Sequence, residues 1–189
     1  MRLYHDTETN GKATFAQPEN FDIQPHMVQL GAILADETGK EMAAIDLLIK
    51  PDGWIITPEL TEIHGITTEM CEKYGVPLKV ACAVFNSMLR CADETVAHND
   101  KFDSIIIAAS YSRAGHDYNQ HRKQPVCTME LMTPVMQLPA KWGSKYKWPT
   151  LQEAYERATG TPLVGGHQAI IDTRACKVIH EYWMGLPDE

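Results

Sequence analysis

No stretch of this sequence is long and apolar. The longest purely aliphatic run is Ile105-Ile106-Ile107-Ala108-Ala109, far short of the ~20 residues a membrane span needs. Met1 to Asp6 contain neither the apolar core of a signal peptide nor an Arg/Ser-rich transit segment, so the chain is expected to work in the cytoplasm, with no membrane contact. Cysteine is scarce: there are five, an odd number, and none lies in a Cys-x-x-Cys pair. That pattern argues against both a zinc site and a disulfide framework. Cys71, Cys82, Cys91 and Cys176 fall in or beside helical patterns and are expected to be buried free thiols. Repeats, linkers and low-complexity tracts are also missing. So is an excess of positive charge. The net charge of −8 excludes a uniformly basic surface of the kind that holds long polyanions.

What is present suits a single domain over residues 1–189. Hydrophobic residues make up 44%, enough for a sizeable core. Residues 1–6, Met27–Ala35 and Glu41–Lys50 read as strands, the last two joined by the polar Asp36–Lys40 connection. Asn10–His26, with Asn-Gly and two prolines, reads as a loop. Helices are expected at Pro58–His64 and Thr67–Lys73. Pro77–Ala92 is expected to be helical because its apolar residues at 80, 81, 84, 85, 88 and 89 form one stripe. The strand Glu94–Ala97 leads into a helix over Lys101–Ala114. A strand at Pro125–Thr128 and helices near Met129–Gln137, Thr150–Thr159 and Gln168–Trp183 complete the chain. A meander followed by alternating helices and strands implies a mixed sheet with helices on both faces. Ligands in such sheets sit at the carboxyl ends of the strands, where Asp6 lies.

Three segments carry chemistry. In Asp6-Thr7-Glu8 the two carboxylates are two residues apart, so on a strand they share a face. Adjacent carboxylates repel unless a proton or cation joins them, and hard divalent cations such as Mg2+ and Mn2+ take oxygen ligands. Alone, the pair is equally an ordinary solvated strand end. The second segment, His98-Asn99-Asp100-Lys101-Phe102-Asp103, puts Asp103 in the first turn of a helix, a position that the helix dipole also favours. The third runs from Gly165-Gly166-His167 to Asp172. There a carboxylate lies beside an apolar stripe and needs a partner or a metal. His5, His26, His116, His121 and His180 are assigned neither ligand nor base roles.

Together these segments resemble the 3′–5′ exonuclease superfamily with four acidic residues and a histidine (the DEDDh type), which includes polymerase proofreading subunits, RNase T and oligoribonuclease. Asp6-Thr7-Glu8-Thr9-Asn10-Gly11 matches its opening acidic pair and the following Thr-x-Gly. His98-Asn99 through Phe102-Asp103 matches the middle motif, and His167, Ala169, Asp172 and Ala175 match the histidine version of the last. The tyrosine version has its aromatic four residues before the aspartate, where this chain has Gln168. Met27–Ile33 looks like the family's second strand. Pro58-Glu59 with Ile63-His64-Gly65-Ile66-Thr67 looks like its nucleotide-contacting segment, although Glu59 equally suits a helix N-terminus and His64 a helix cap.

The resemblance implies an α/β ribonuclease H-like fold with a mixed five-stranded sheet. It further implies two divalent cations, Mg2+ or Mn2+, held by Asp6, Glu8, Asp103 and Asp172, with His167 as general base. Thr7, Thr9, Glu59, His64, Asn99 and Phe102 are the implied substrate contacts. The implied reaction is hydrolysis of the terminal phosphodiester of single-stranded DNA or a frayed 3′ end, releasing nucleoside monophosphates. An exoribonuclease acting on short RNA is the neighbouring reading, and an inactive nucleic-acid-binding module is a reading of another class. A polymerase or replication partner is possible in this family, but the chain ends soon after its last helix and is expected to act free-standing.

One segment fits the family least. From Arg113 to Lys147 six basic residues (113, 122, 123, 141, 145 and 147) stand against two acidic ones (117 and 130). Lys141, Lys145 and Lys147 alternate with Trp142, Tyr146 and Trp148, the cation-and-ring pattern that suits single-stranded nucleic acid. Lys141, Trp142, Lys145, Tyr146 and Lys147 are therefore expected to guide a strand towards the site.

Overall fold

The computed structural model describes residues 1–116, 122–141, 143 and 145–187. Among these residues five strands, β1 (Arg2–Thr9), β2 (Met27–Ala35), β3 (Glu41–Leu48), β4 (Glu94–Ala97) and β5 (Gln124–Cys127), form one sheet in the order β3-β2-β1-β4-β5. β1, β2 and β3 pair antiparallel, whereas β4 runs parallel to β1 and β5 parallel to β4. The sheet is mixed, as the alternation of elements requires. Among the described residues seven α-helices accompany it: α1 (Pro58–His64), α2 (Thr68–Tyr74), α3 (Leu78–Cys91), α4 (Asp100–Arg113), α5 (Thr128–Met136), α6 (Leu151–Thr159) and α7 (Ala169–Met184). No helix among the described residues is long and apolar enough to cross a membrane.

The two faces of the sheet bury different cores. Leu3, Leu30, Ala32 and Leu34 pack with Phe85 and Leu89 of α3 and Ile106, Ile107 and Tyr111 of α4. The opposite face carries Tyr4, Ile33, Ala35 and Val96 against Cys176 of α7. Strand alternation therefore assigns the end of β1 in advance: Leu3 and His5 face α3 and α4, while Tyr4, Asp6 and Glu8 face α7. His5 is fully buried with its ring edge-on to Phe85 at 5.6 Å, and burial lowers its pKa to about 4. It is a neutral core residue here, separated from Asp6 by the pleat.

The element boundaries differ from expectation in places that matter. β1 continues to Thr9 because β2 pairs with it through Thr9↔Met27, so Thr7, Glu8 and Thr9 are strand residues rather than loop. β3 stops at Leu48, and Ile49 instead bridges Val76 beyond α2. The Asn10–His26 loop contains one 3₁₀ turn at Phe21–Ile23. Thr150 does cap α6, in a reciprocal capping box with Glu153, and Gly160 at φ 74° ends it. All five cysteines are free. Cys71, Cys82 and Cys176 are buried, but Cys91 is exposed at the last turn of α3, where the helix turns its apolar stripe away from that position.

Candidate active site

The site begins with the pairing of β1 and β2. Asp6 lies opposite Gly31, and Glu8 opposite Gln29, on the face that receives α7. A Cβ at position 31 would stand 2.5 Å from the Ala169 carbonyl oxygen, so only glycine lets the first turn of α7 descend to the sheet at the level of Asp6. Gln29 fixes that contact: its Oε1 accepts from the Ala169 amide at 3.1 Å, while its Nε2 donates to Asp46 at 2.7 Å. Three residues into α7, Asp172 consequently stands beside the β1 carboxylates.

Asp103 arrives from the other direction, in the first turn of α4. Asn99 precedes that helix in the left-handed conformation, φ 66°, which asparagine tolerates better than most residues. Asp103 Oδ1 accepts from both the Thr7 amide (2.9 Å) and the Thr7 hydroxyl (2.7 Å). Thr7 thus orients a carboxylate. The Thr9 hydroxyl donates to the Gly11 carbonyl at 2.7 Å and shapes the strand exit.

The electrostatics are those of a cluster short of positive charge. Burial, reinforced by Asp103, Asp172 and Glu8, pushes the Asp6 carboxyl well above the usual carboxylate range. Burial does the same to Asp103 despite its two bonds from Thr7, and raises Asp172 as well. Glu8 rises to about 7, through burial first and Asp172 second. Asp172 Oδ2 accepts from the His167 amide at 3.0 Å, but its buried Oδ1 has no partner. Oxygen donors held close together, whose ionisation is costly until a cation answers the charge, and one of them orphaned, are the donor set a hard divalent cation requires.

His167 sits exposed at the rim, with φ 67°, just before α7. One ring nitrogen of His167 and one carboxylate oxygen each from Glu8 and Asp172 lie within 4.8 Å of one another. His64 is near enough that the His167 charge lowers its pKa, after burial, the larger cause. The His64 Nδ1 accepts from the Ile66 amide at 3.1 Å, which leaves its Nε2 a buried donor without a partner. A cleft of about 390 Å³ opens beside it, lined by Gln29, Asp46, Gly65, Tyr74 and Gln168. Glu59 is exposed, and hydrogen bonds from its own amide and from Thr57 depress its pKa. The helix N-terminus accounts for its position.

The other expected contacts are distributed unevenly. Phe102 is half-buried one residue before Asp103, its ring 6.5 Å from that of Phe15. Lys141 is exposed, and Trp142 lies outside the described residues. Lys145 stands 4.9 Å from the centre of the Tyr146 ring, and Tyr146 bridges Pro139. Lys147 is ion-paired with Glu153. Trp148 is 66% exposed. His98 Nε2 donates to the Pro149 carbonyl at 3.1 Å and its Nδ1 accepts from Thr128 at 2.9 Å, which pins the end of this loop to the end of β4. Sequence reasoning missed Gln29, Gly31 and Phe15. A glycine within an otherwise apolar strand was the available signal for a close backbone approach.

A mixed sheet in this order, with carboxylates gathered at the end of its central strand and a histidine above them, defines a ribonuclease H-like α/β domain of the nuclease class. The chain belongs to the exonuclease family RNase_T, whose family model matches residues 3–179. Solved structures of exonuclease I share the fold. One, described as suggesting how processivity is achieved, has a TM-score of 0.77 at 21% identity, covering 96% of this chain and 40% of that one. Escherichia coli exonuclease I in complex with a dT13 oligonucleotide has a TM-score of 0.75 at 21% identity, covering 97% and 40%. A zinc-bound form of the E. coli enzyme with single-stranded DNA has a TM-score of 0.76 at 20% identity, again covering 97% and 40%. The chain therefore spans well under half the length of these relatives. No curated protein sequence matched it.

Proposed function

We propose that this protein is a divalent-cation-dependent 3′–5′ exonuclease that removes nucleoside monophosphates from single-stranded DNA ends. The observation that carries this reading is the convergence of Asp6, Glu8, Asp103 and Asp172 from three separate segments, with raised proton affinities and an orphaned oxygen. Mg2+ or Mn2+ held by these four carboxylates would polarise the scissile phosphate, activate water and stabilise the leaving oxygen.

The chain's own residues supply the rest. Thr7 holds Asp103 in place through two hydrogen bonds. Gly31 and Gln29 set Asp172 against β1. His167, at the rim and backed by Asp172, takes the proton of the attacking water, a task suited to an imidazole. The His64 Nε2 donor and the cleft beside it receive the terminal nucleotide. Lys141 and Lys145, exposed on the loop pinned by His98, meet phosphates further up the strand. The oligonucleotides in the relatives' structures, dT13 and dA16, favour DNA as the substrate. A protein whose negative net charge limits long backbone contacts gains phosphate affinity chiefly at the site itself.

The deciding experiment digests end-labelled single-stranded DNA, single-stranded RNA and duplex DNA with Mg2+, Mn2+ or EDTA. Mononucleotide release from the 3′ end of DNA, abolished by EDTA, is expected. Full activity in EDTA would refute the mechanism, and release from RNA alone would reassign the substrate.

A further inference from the structure

The loop between β1 and β2 is more firmly built than a simple connection needs. Asn10 and His26 close its base, the Asn10 amide donating to the His26 carbonyl and the His26 amide to Asn10 Oδ1 at 2.7 Å. Inside it Gln24, 3% exposed, bonds both the amide and the carbonyl of Thr14 and the carbonyl of Gln17. Arg113 reaches from α4 to three further carbonyls, those of Phe21, Gln24 and Pro25. A loop whose ends meet and whose interior is filled by its own side chains is an Ω-loop, a form often tied to function.

This scaffold fixes Phe15, directly after Thr14. Phe15 is 43% exposed, its ring tilted 49° to that of Phe102 at 6.5 Å. Lys101 Nζ lies 5.5 Å from the Phe15 ring centre. Phe102 in turn precedes Asp103, so its ring begins one residue from the carboxylate cluster. A ring held rigidly at the surface with a cation beside it loses little entropy on contact and offers what a nucleotide presents, a flat base and a phosphate.

We infer that Phe15 and Phe102 form a stacking platform for a base of the entering single strand, with Lys101 beside it for the adjoining phosphate. The inference rests on the exonuclease reading above and adds Phe15, Lys101 and the Ω-loop to the binding surface. It places the strand's path along the α4 side of the cluster, across from the His64 cleft.

The test uses the full chain and short single-stranded oligodeoxynucleotides bearing 2-aminopurine at successive positions from the 3′ end, with EDTA present so that binding is read without cleavage. The parent should quench the fluorophore at one or two positions. Phe15→Leu, which keeps apolar packing on Phe102, should weaken binding about fivefold or more and lose the quenching, and Phe15→Trp should keep both. With Mn2+, Phe15→Leu should raise KM for these strands more than it lowers kcat. A parent that binds and quenches but never cleaves would refute the exonuclease reading and leave the platform standing. A Phe15→Leu variant that binds and quenches like the parent, or a parent that binds no single strand, would overturn the platform.

Discussion

The carboxylate cluster and the basic loop before α6 both looked functional as strings of charge, yet they differ in how their charges are answered. In the cluster, four acidic groups from β1, α4 and α7 face one another with no lysine or arginine among the described residues to raise or lower them, and each holds its proton more tightly than usual. In the loop the charges are largely satisfied: Lys147 pairs with Glu153, which also caps α6, and Lys145 lies over Tyr146. Unanswered charge held by rigid elements is electrostatic strain, and it persists in proteins chiefly where a ligand relieves it. Satisfied charge at a loop surface contributes little in either direction.

The largest break in this contrast should come from Asp6→Asn. Losing one of the four carboxylates should lower turnover on the order of 10³-fold or more, since each ligand contributes several kcal/mol to the charged transition state. The same variant should raise the melting temperature of the metal-free protein at pH 8. A metal-free variant less stable than the parent would show that the cluster is not strained. His167→Ala should lower kcat by roughly 10²–10⁴ with Mn2+ affinity little changed by titration calorimetry. Loss of Mn2+ binding would instead make His167 a ligand, which its distances to Glu8 and Asp172 also permit.

Gly31→Ala should be felt in both stability and metal binding, because the added methyl must displace the start of α7. A loss of about 1–3 kcal/mol in denaturant unfolding should accompany weaker Mn2+ binding. Unchanged metal affinity would mean that Asp172 does not depend on this close approach.

The pH dependence follows from the sign of the shifts. Glu8, Asp6, Asp103 and Asp172 bind protons more tightly folded than unfolded, so their contribution to stability is complete at low pH and is lost as pH rises through the folded values. For Glu8 that window runs from its ordinary 4.5 to about 7. Metal-free protein should therefore melt a few degrees lower at pH 8 than at pH 5, and saturating Mn2+ should abolish the difference. A metal-free melting temperature that rises over this range would contradict the cluster's electrostatics.

The smallest effects belong to the loop. Lys147→Ala should change stability by about 0.5 kcal/mol or less and leave KM for long single strands nearly unaltered, since Glu153 already engages that ammonium. Replacing Lys141, Lys145 and Lys147 together should raise KM and flatten its salt dependence. If Lys147→Ala alone matches the triple variant, the pairing with Glu153 does not persist when a strand is bound.

Much of this was written in one dimension. Strand and helix order followed from apolar periodicity and from turn residues such as Asp36-Glu37-Thr38-Gly39, because those signals act over a few neighbouring residues. The five residues proposed for the site could be named from the sequence too, since their residue types and spacings recur as motifs. Two-residue alternation already placed Asp6 and Glu8 on one face of β1 and His5 on the other.

Tertiary structure alone decided what those residues meet. That Thr7 serves Asp103, ninety-six positions away, depends on α4 folding back over the strand end. That Glu153 claims Lys147 depends on where α6 begins, and that Gly31 admits α7 depends on strand register. Phe15 sat in a segment with no periodicity, and only the bonds from Gln24 and Arg113 give it a fixed place beside Phe102. Local patterns report the short-range preferences of the backbone. Which distant side chains finally face one another is set by packing, which no window along the chain contains.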